Sequence, residues 1–225
     1  WQKYLAENRR FLKMSTGRGA LIVFEGCDRA GKSTQVKMLI EALNKRNISA
    51  ISRAFPDRNT SIGKIINNFL SKQEEVSPEA AHLLFSANRW EWQDKIVATL
   101  NRGTNVIVDR YAASGAAYTS ATTGKCLNWC TAPDKGLPRP DLVIYLKVSE
   151  ESQRLRSGWG AERFENTTLQ QYVASKYEEL MDSTWNTVDA NKDKSVIHVQ
   201  ILEKVLDVIN HVKDLPVEKL YEPSV

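Results

Sequence analysis

The chain has 225 residues, 42% of them hydrophobic, which suits one α/β domain with a full core. Its 31 basic and 27 acidic residues leave a net charge of +4 spread without a basic stripe; no nucleic-acid partner is implied, and a cleft for anionic small molecules fits the excess. Three cysteines, an odd number, make no disulfide framework and read as reduced thiols of an intracellular protein, and no apolar run approaches membrane-spanning length.

Residues 1–13, "WQKYLAENRRFLK", precede Met14 and the smooth opening "MSTGRGALIVFEG". They are amphipathic and rich in Lys and Arg, as a targeting leader is, but Glu7 and the missing serines favour a remnant or untranslated-region read-through. The domain proper is taken as 14–225, in the cytoplasm, with a nuclear or mitochondrial location left open. "GALIVFE" (Gly19 to Glu25) is an apolar, β-branched run and predicts a strand. It runs into "GCDRAGKST" (Gly26 to Thr34), and "KSTQVKMLIEALNKR" continues with helical spacing. Gly26, Gly31, Lys32 and Ser33 make the Walker A pattern, in which backbone N–H groups wrap phosphates, the lysine reaches the outer ones and the hydroxyl ligates Mg²⁺.

"ISAISRAFP" (Ile48 to Pro56) predicts a short strand stopped by proline, and "NTSIGKIINNFLSK" a helix. From Ser77, a cap before Pro78, to Gly103 the pattern predicts one long helix. "NVIVDRY" and "DLVIYLKV" are continuous apolar runs, as expected of strands buried on both faces of a parallel sheet. "SGWGAERFEN" (Ser157 to Asn166) breaks periodicity and reads as a mobile loop; Ile197, Ile201, Val205, Val208 and Val212 form the stripe of a packing helix. The fold class is α/β, a doubly wound three-layer domain with a central parallel sheet and helices on both faces. His82, His198 and His211 read as packing or surface residues, and Cys126 and Cys130 lack the further ligands of a zinc site.

A phosphate loop serves hydrolases, switch GTPases and kinases alike. A GTPase needs a guanine-reading NKxD motif and a DxxG switch, and "NKDK" at Asn191 is out of register. The chain carries instead "FPDR" after the second strand, "LLFSANR" on the long helix and "DRYAASGAAY" after the third strand, each bringing an arginine (Arg58, Arg89, Arg110) toward the carboxyl ends of the strands. Guanidinium forks grip phosphate oxygens at two points and stay charged, so three of them opposite a Walker loop suit a second, acceptor phosphate.

"FPDR", "HLLFSANRWE", "DRYAASGAAY", "GLPRPDLV" and "ERFEN" together resemble the thymidylate kinases, from about Gly17 to the C-terminus. The resemblance implies a P-loop nucleoside-monophosphate-kinase fold, of the kind with an arginine in the P-loop, and transfer of the γ-phosphate of ATP to dTMP. It implies Mg²⁺ as cofactor, held by Ser33 and Asp109, and a homodimer formed through the helix containing Phe85. It places the ATP phosphates on Gly26, Arg29, Ala30, Gly31, Lys32, Ser33 and Thr34, with Arg156 at the lid. For dTMP it implies Arg58 and Arg110 on the phosphate, Phe85 stacked on the base and Arg89 donating to a thymine carbonyl. Phe55, of "FPDR", and Phe164, of "ERFEN", fall on the dTMP side as well; Ser114 and Gln170 come near the base edge and Tyr118 beside C2′. Asp28 would accept from the 3′-OH, its charge offset by Arg29 and neighbouring cations, and Arg29 would act as an arginine finger. Lys32, Asp109 and Arg110 complete the catalytic set, with Asp109 also ordering Arg110, and the small residues of "SGAA" leave room for the base methyl.

Three positions depart from the family pattern. Phe164 stands where many relatives carry tyrosine; Asp57 replaces glutamate beside Arg58, resetting an ion pair; and Cys27 takes an apolar loop position, a buried filler or an oxidation-sensitive thiol. The alternatives are a kinase for another nucleoside monophosphate, decided by the pocket around Phe85, Arg89 and Ser114, and a catalytically silent nucleotide-binding protein.

Overall fold

The fold rests on a computed structural model, which describes residues 17–154 and 162–222. The leader reading for residues 1–13, Arg156 and residues 157–161, the first half of the lid segment, therefore lie outside the described residues. Five parallel strands run in the order β2-β3-β1-β4-β5: β1 (Leu21–Glu25), β2 (Ala50–Ala54), β3 (Asn105–Asp109), β4 (Leu142–Lys147) and β5 (Trp185–Asp189). β1, β3 and β4 are the continuous apolar runs, buried on both faces because helices cover both.

The pleat sends alternate residues to opposite layers. On one face Ile22, Phe24 and Ile144 meet α1 (Lys32–Asn44) and α9 (Lys194–His211), through Val36, Leu39, Leu43, Ile197, Ile201 and Val205. On the other, Val23, Val106 and Val108 meet Ile96 and Leu100 of α4 (Gln93–Asn101), and Tyr145 meets α5 (Ala112–Thr123) and α8 (Thr167–Leu180). A smaller cluster joins α2 (Ser61–Leu70) to α3 (Pro78–Trp90) through Ile66, Phe69, Leu70 and Ala81. Two short helices, α6 (Leu127–Thr131) and α7 (Glu150–Arg154), complete the order.

The helix starts carry local causes. Thr60 Oγ1 accepts from Gly63 N at the head of α2, Ser77 Oγ from Ala80 N at α3, and Asn166 Oδ1 from Leu169 N at α8. Gly103, at φ 79° with its N–H on the Leu100 carbonyl, ends α4 as a left-handed glycine does.

The single helix expected from Ser77 to Gly103 is two. Trp92 N–H bonds the Arg89 carbonyl, three residues back, so the turn tightens and the chain bends at Glu91 and Trp92. The Glu91 carboxylate accepts from Asn88 Nδ2 at 2.9 Å and Thr60 Oγ1 at 2.8 Å, and Trp92 packs against the sheet cluster.

Candidate active site

β1 and β3 lie side by side, with Phe24 opposite Asp109, so the loop after β1 and the turn after β3 open into the same crevice. Arg110 N bonds the Phe24 carbonyl at 2.9 Å and Phe55 N bonds that of Asp109 at 3.0 Å, which fixes the three strand ends. The cleft above them has a volume of about 1090 Å³, more than a site for one drug-sized ligand. All predicted site residues line it except Gly26, Gln170 and Arg156, the last of which lies outside the described residues.

The loop turns through Gly26 at φ 139° and Gly31 at φ 96°. A Cβ on Gly26 would stand 2.7 Å from the Leu146 carbonyl oxygen, so the position admits only glycine. Lys32 is buried, its Nζ donating to the carbonyls of Gly26 at 3.0 Å and Cys27 at 2.8 Å, the carbonyl side of the loop. Burial above all, then repulsion from Arg110, pulls the Lys32 ammonium down to about 8. Ser33 Oγ donates to Asp109 Oδ2 at 2.5 Å, a hydroxyl and a carboxylate meeting where the loop enters α1. Cys27 is the buried filler: burial pushes its thiol up to about 11, which keeps it from the reactive thiolate form.

Asp28 and Arg29 turn to different partners. Asp28 takes the Arg110 guanidinium on Oδ1 and Gln170 Nε2 at 2.7 Å on Oδ2. Arg110, at φ 65°, also donates to the Gly26 carbonyl at 3.1 Å and Ser114 Oγ at 3.3 Å. Arg110 is thus one of the neighbouring cations expected to offset the Asp28 charge, and Asp28 is the carboxylate that Arg110 hydrogen-bonds. Arg29 Nε pairs with Glu165 of the lid segment at 2.8 Å, and Glu165 also accepts the Glu162 N–H at 3.1 Å.

Gln170, expected near the base edge, is a buried hub behind Asp28. Its Oε1 accepts from Asp28 N at 2.8 Å, and its Nε2 also reaches the Phe164 carbonyl at 2.9 Å. Tyr118 lines the cleft between them, its hydroxyl 3.3 Å from Gln170 Nε2 and its ring 5.5 Å from that of Phe164.

The far wall is built on α3. Phe85 is half-buried beside the cluster that includes Phe164. Arg89 is buried and forked onto Asp134, Nε to Oδ1 at 3.0 Å and Nη2 to Oδ2 at 2.6 Å, with Ser86 Oγ on the same carboxylate at 2.7 Å. The fork leaves Nη1 for a ligand. A Cβ on Gly115 would stand 2.7 Å from Arg89 Nη2, so glycine there seats the guanidinium, while Ala116 and Ala117 face the core. Of the residues of "SGAA", Gly115 is the one that makes room for Arg89.

Arg58, half-exposed, meets Glu162 at 2.7 Å and Asn67 at 3.0 Å. Asp57 is not its partner: the carboxylate accepts from Asn59 N at 3.1 Å and shapes the turn. Arg163, within "SGWGAERFEN", donates to Glu75 at 2.7 Å and lies over the Phe69 ring. Phe164 uses its ring alone, 6.0 Å from Phe69, and needs no hydroxyl to pack there.

Sequence reasoning did not single out Glu25, wholly buried at the end of β1. It accepts from Tyr111 N at 2.9 Å and Ser114 N at 3.1 Å, and from Ser114 Oγ at 2.5 Å and Tyr177 OH at 3.1 Å. Its signal was an acid closing an apolar run; Asp134 and Gln153, whose Nε2 holds the Asp28 carbonyl at 2.6 Å, carried none.

The thymidylate kinase family profile matches residues 24–201. The chain belongs to the thymidylate kinase family. It is 42% identical to thymidylate kinase of Danio rerio over 211 residues, covering 92% of this chain and 100% of that protein. It is also 42% identical to that of Homo sapiens over 212 residues, covering 93% and 100%. The structure of thymidylate kinase from Candida albicans superposes with a TM-score of 0.76 at 38% identity, over 92% of this chain and 96% of that one. Relatives in the family thus span the strands, loop and helices that build the cleft.

Proposed function

We infer that the chain is an ATP-dependent dTMP kinase, moving the γ-phosphoryl group of ATP to dTMP to give dTDP and ADP. Within this family, the observation that carries the reading is the pairing, in one cleft, of a Walker loop with Arg89, forked onto Asp134 beside Phe85. A planar base with a carbonyl at its edge meets a ring face and one directed guanidinium there.

An oxygen of the dTMP phosphate forms the new bond to Pγ as the bond from Pγ to the bridging oxygen of ADP breaks. Arg58 and Arg110 would hold the acceptor phosphate, with Arg110 aimed by Asp28. Lys32 and the loop N–H groups would hold the donor phosphates. Arg29 would leave Glu165 for the equatorial oxygens of the moving phosphoryl group, where charge spreads in the transition state. The lid then excludes water, which would otherwise take the phosphoryl group.

Mg²⁺ is part of the proposal. Ser33 Oγ and Asp109 Oδ2 are hard oxygen donors side by side, and no group of three or more His, Cys, Asp or Glu stands ready to cage a metal among the described residues. That suits an ion carried in by the nucleotide. Bound there, it would neutralise phosphate charge, with Ser33 and Asp109 as its protein-side ligands.

A homodimer through α3 is proposed on Leu83, 52% exposed, with Trp90 and Trp129 half-exposed on the same flank. Sedimentation of Leu83→Glu as a monomer would support it, and an unchanged mass would not. A cytoplasmic location is proposed on the three free thiols.

The deciding experiment is ADP release over dTMP, dUMP, dCMP, dGMP and AMP. A clear preference for dTMP is expected; equal or better turnover of another monophosphate refutes the assignment.

A further inference from the structure

We propose that the groove between the free edge of the sheet and α4 is a second binding site, for a phosphate group, separate from the cleft. β2 is an edge strand, and Ile51 and Arg53, opposite Val106 and Val108 in register, point to the face that α4 covers. Between them is a hollow of about 280 Å³, floored by Ile51, Ile96 and Val106 and rimmed by Arg53, Lys95 and Arg102.

These three cations gather without an acid. Among the described residues none of them is in an ion pair; Arg102 Nη2 reaches only Thr99 Oγ1, at 3.2 Å. The Arg53 guanidinium carbon lies 4.0 Å from the centre of the Trp92 ring and Lys95 Nζ 4.4 Å from it, so one indole holds two cations at the rim. Arg53 Nε is buried with no hydrogen-bond acceptor. A guanidinium stacked on an indole has already given up much of its rotamer freedom, and its in-plane donors remain for a ligand.

The charge and size set the ligand class. A single carboxylate would leave most of the positive charge uncompensated; a phosphate dianion offers tetrahedral oxygens to donors arriving from β2 and from α4. The volume is at the lower limit of small-molecule pockets and suits a phosphate group with its attached body outside. Arg53 is two residues before Phe55, which lies just past the end of β2, yet the hollow shares no lining residue with the cleft. The proposal does not depend on the dTMP kinase reading.

The test uses the full chain with dTMP, Mg²⁺ and a non-hydrolysable ATP analogue saturating the cleft. The indole N–H resonance of Trp92, assigned through Trp92→Phe, is followed by NMR against inorganic pyrophosphate, dTTP and, at matched ionic strength, chloride. A saturable shift with Kd on the order of 1 mM is expected for pyrophosphate and none for chloride. Arg102→Gln, at an exposed position whose side chain bonds only Thr99 among the described residues, should weaken it about tenfold, by analogy with other charged hydrogen bonds, and Arg53→Gln should abolish it. Tighter binding of dTTP than of pyrophosphate identifies a nucleotide as the source of the phosphate, and equal binding a free anion. No saturable Trp92 shift up to tens of millimolar, or an unchanged shift in Arg102→Gln, overturns the proposal.

Discussion

Glu25 gives the sharpest test of how the site is held, because one buried carboxylate takes four donors. Two of them, the N–H groups of Tyr111 and Ser114, belong to the start of α5, where backbone donors have no partner inside the helix. The others, Ser114 Oγ and Tyr177 OH, tie α5 and α8 to the end of β1. Glu25→Ala removes the acceptor of all four; Ser114 Oγ and Tyr177 OH, 2.8 Å apart, can still serve each other, but the two backbone N–H groups lose theirs. Breaking a buried charged network of this kind costs about 3 to 5 kcal/mol, less than the sum of its bonds because the charge no longer has to be desolvated. Glu25→Gln keeps the shape but sets an amide N–H₂ against the donors at one oxygen, for about 1 to 3 kcal/mol. Urea unfolding of the ligand-free protein measures both. For a domain of this size the alanine variant should melt roughly 6 to 20 °C lower. Since Ser114 also receives Arg110, kcat/KM for dTMP should fall in Glu25→Gln even well below its melting temperature. A loss under about 1 kcal/mol in Glu25→Ala would refute the reasoning, as it would mean that the donors find other partners.

Arg29→Ala should lower kcat by at least about 10²-fold and change the KM for dTMP far less, since the lost interaction belongs to the transition state; a near-normal kcat with a raised KM for ATP refutes the finger. Tyr118→Ala should narrow the preference for dTMP over its ribose counterpart by roughly ten- to a hundredfold, the worth of an unpaired buried hydroxyl; an unchanged ratio of kcat/KM removes Tyr118 from that role. Burial lowers the pKa of His82, whose Nδ1 meets Thr119 Oγ1 at 2.8 Å, so below its unfolded value of 6.5 the unfolded chain binds a proton that the folded chain refuses. Stability should therefore fall as pH drops through that range, by at most about 1.4 kcal/mol per pH unit, and His82→Gln should flatten the slope of unfolding free energy against pH between 5 and 7, roughly.

The layers of this fold were legible because burial on both faces writes itself as unbroken apolar runs, and β1, β3 and β4 are such runs. β5, "WNTVD", was not singled out: it is an edge strand, mostly half-exposed, and its composition carries no period. α5 has no apolar stripe to find, since its buried positions are alanines, serines and a threonine packed on several sides. In the site, residue types predicted which side chains come together, and long separations in sequence hid what holds them. Arg89 was visible, Asp134 beneath it was not; Arg110 was visible, and its pairing with Asp28 had no local signature. The carboxylates that aim the arginines come from turns, where spacing carries no information about contact.

That pairing pattern also decides why an acid and an arginine sit inside the phosphate loop. Were Asp28 and Arg29 there to neutralise each other, they would share partners. Instead Asp28 belongs to the fixed floor: Arg110 from the turn after β3, Gln170 from α8 and Gln153 from α7 all converge on it or on its backbone. Arg29 belongs to the roof, through Glu165 at the end of the lid segment. In the proposed mechanism, one loop therefore carries a fixed acid on the acceptor side and an arginine tied to the lid segment. Release of Arg29 to the phosphoryl group would then require Glu165 to give it up, while Asp28 would stay held on both oxygens by Arg110 and Gln170.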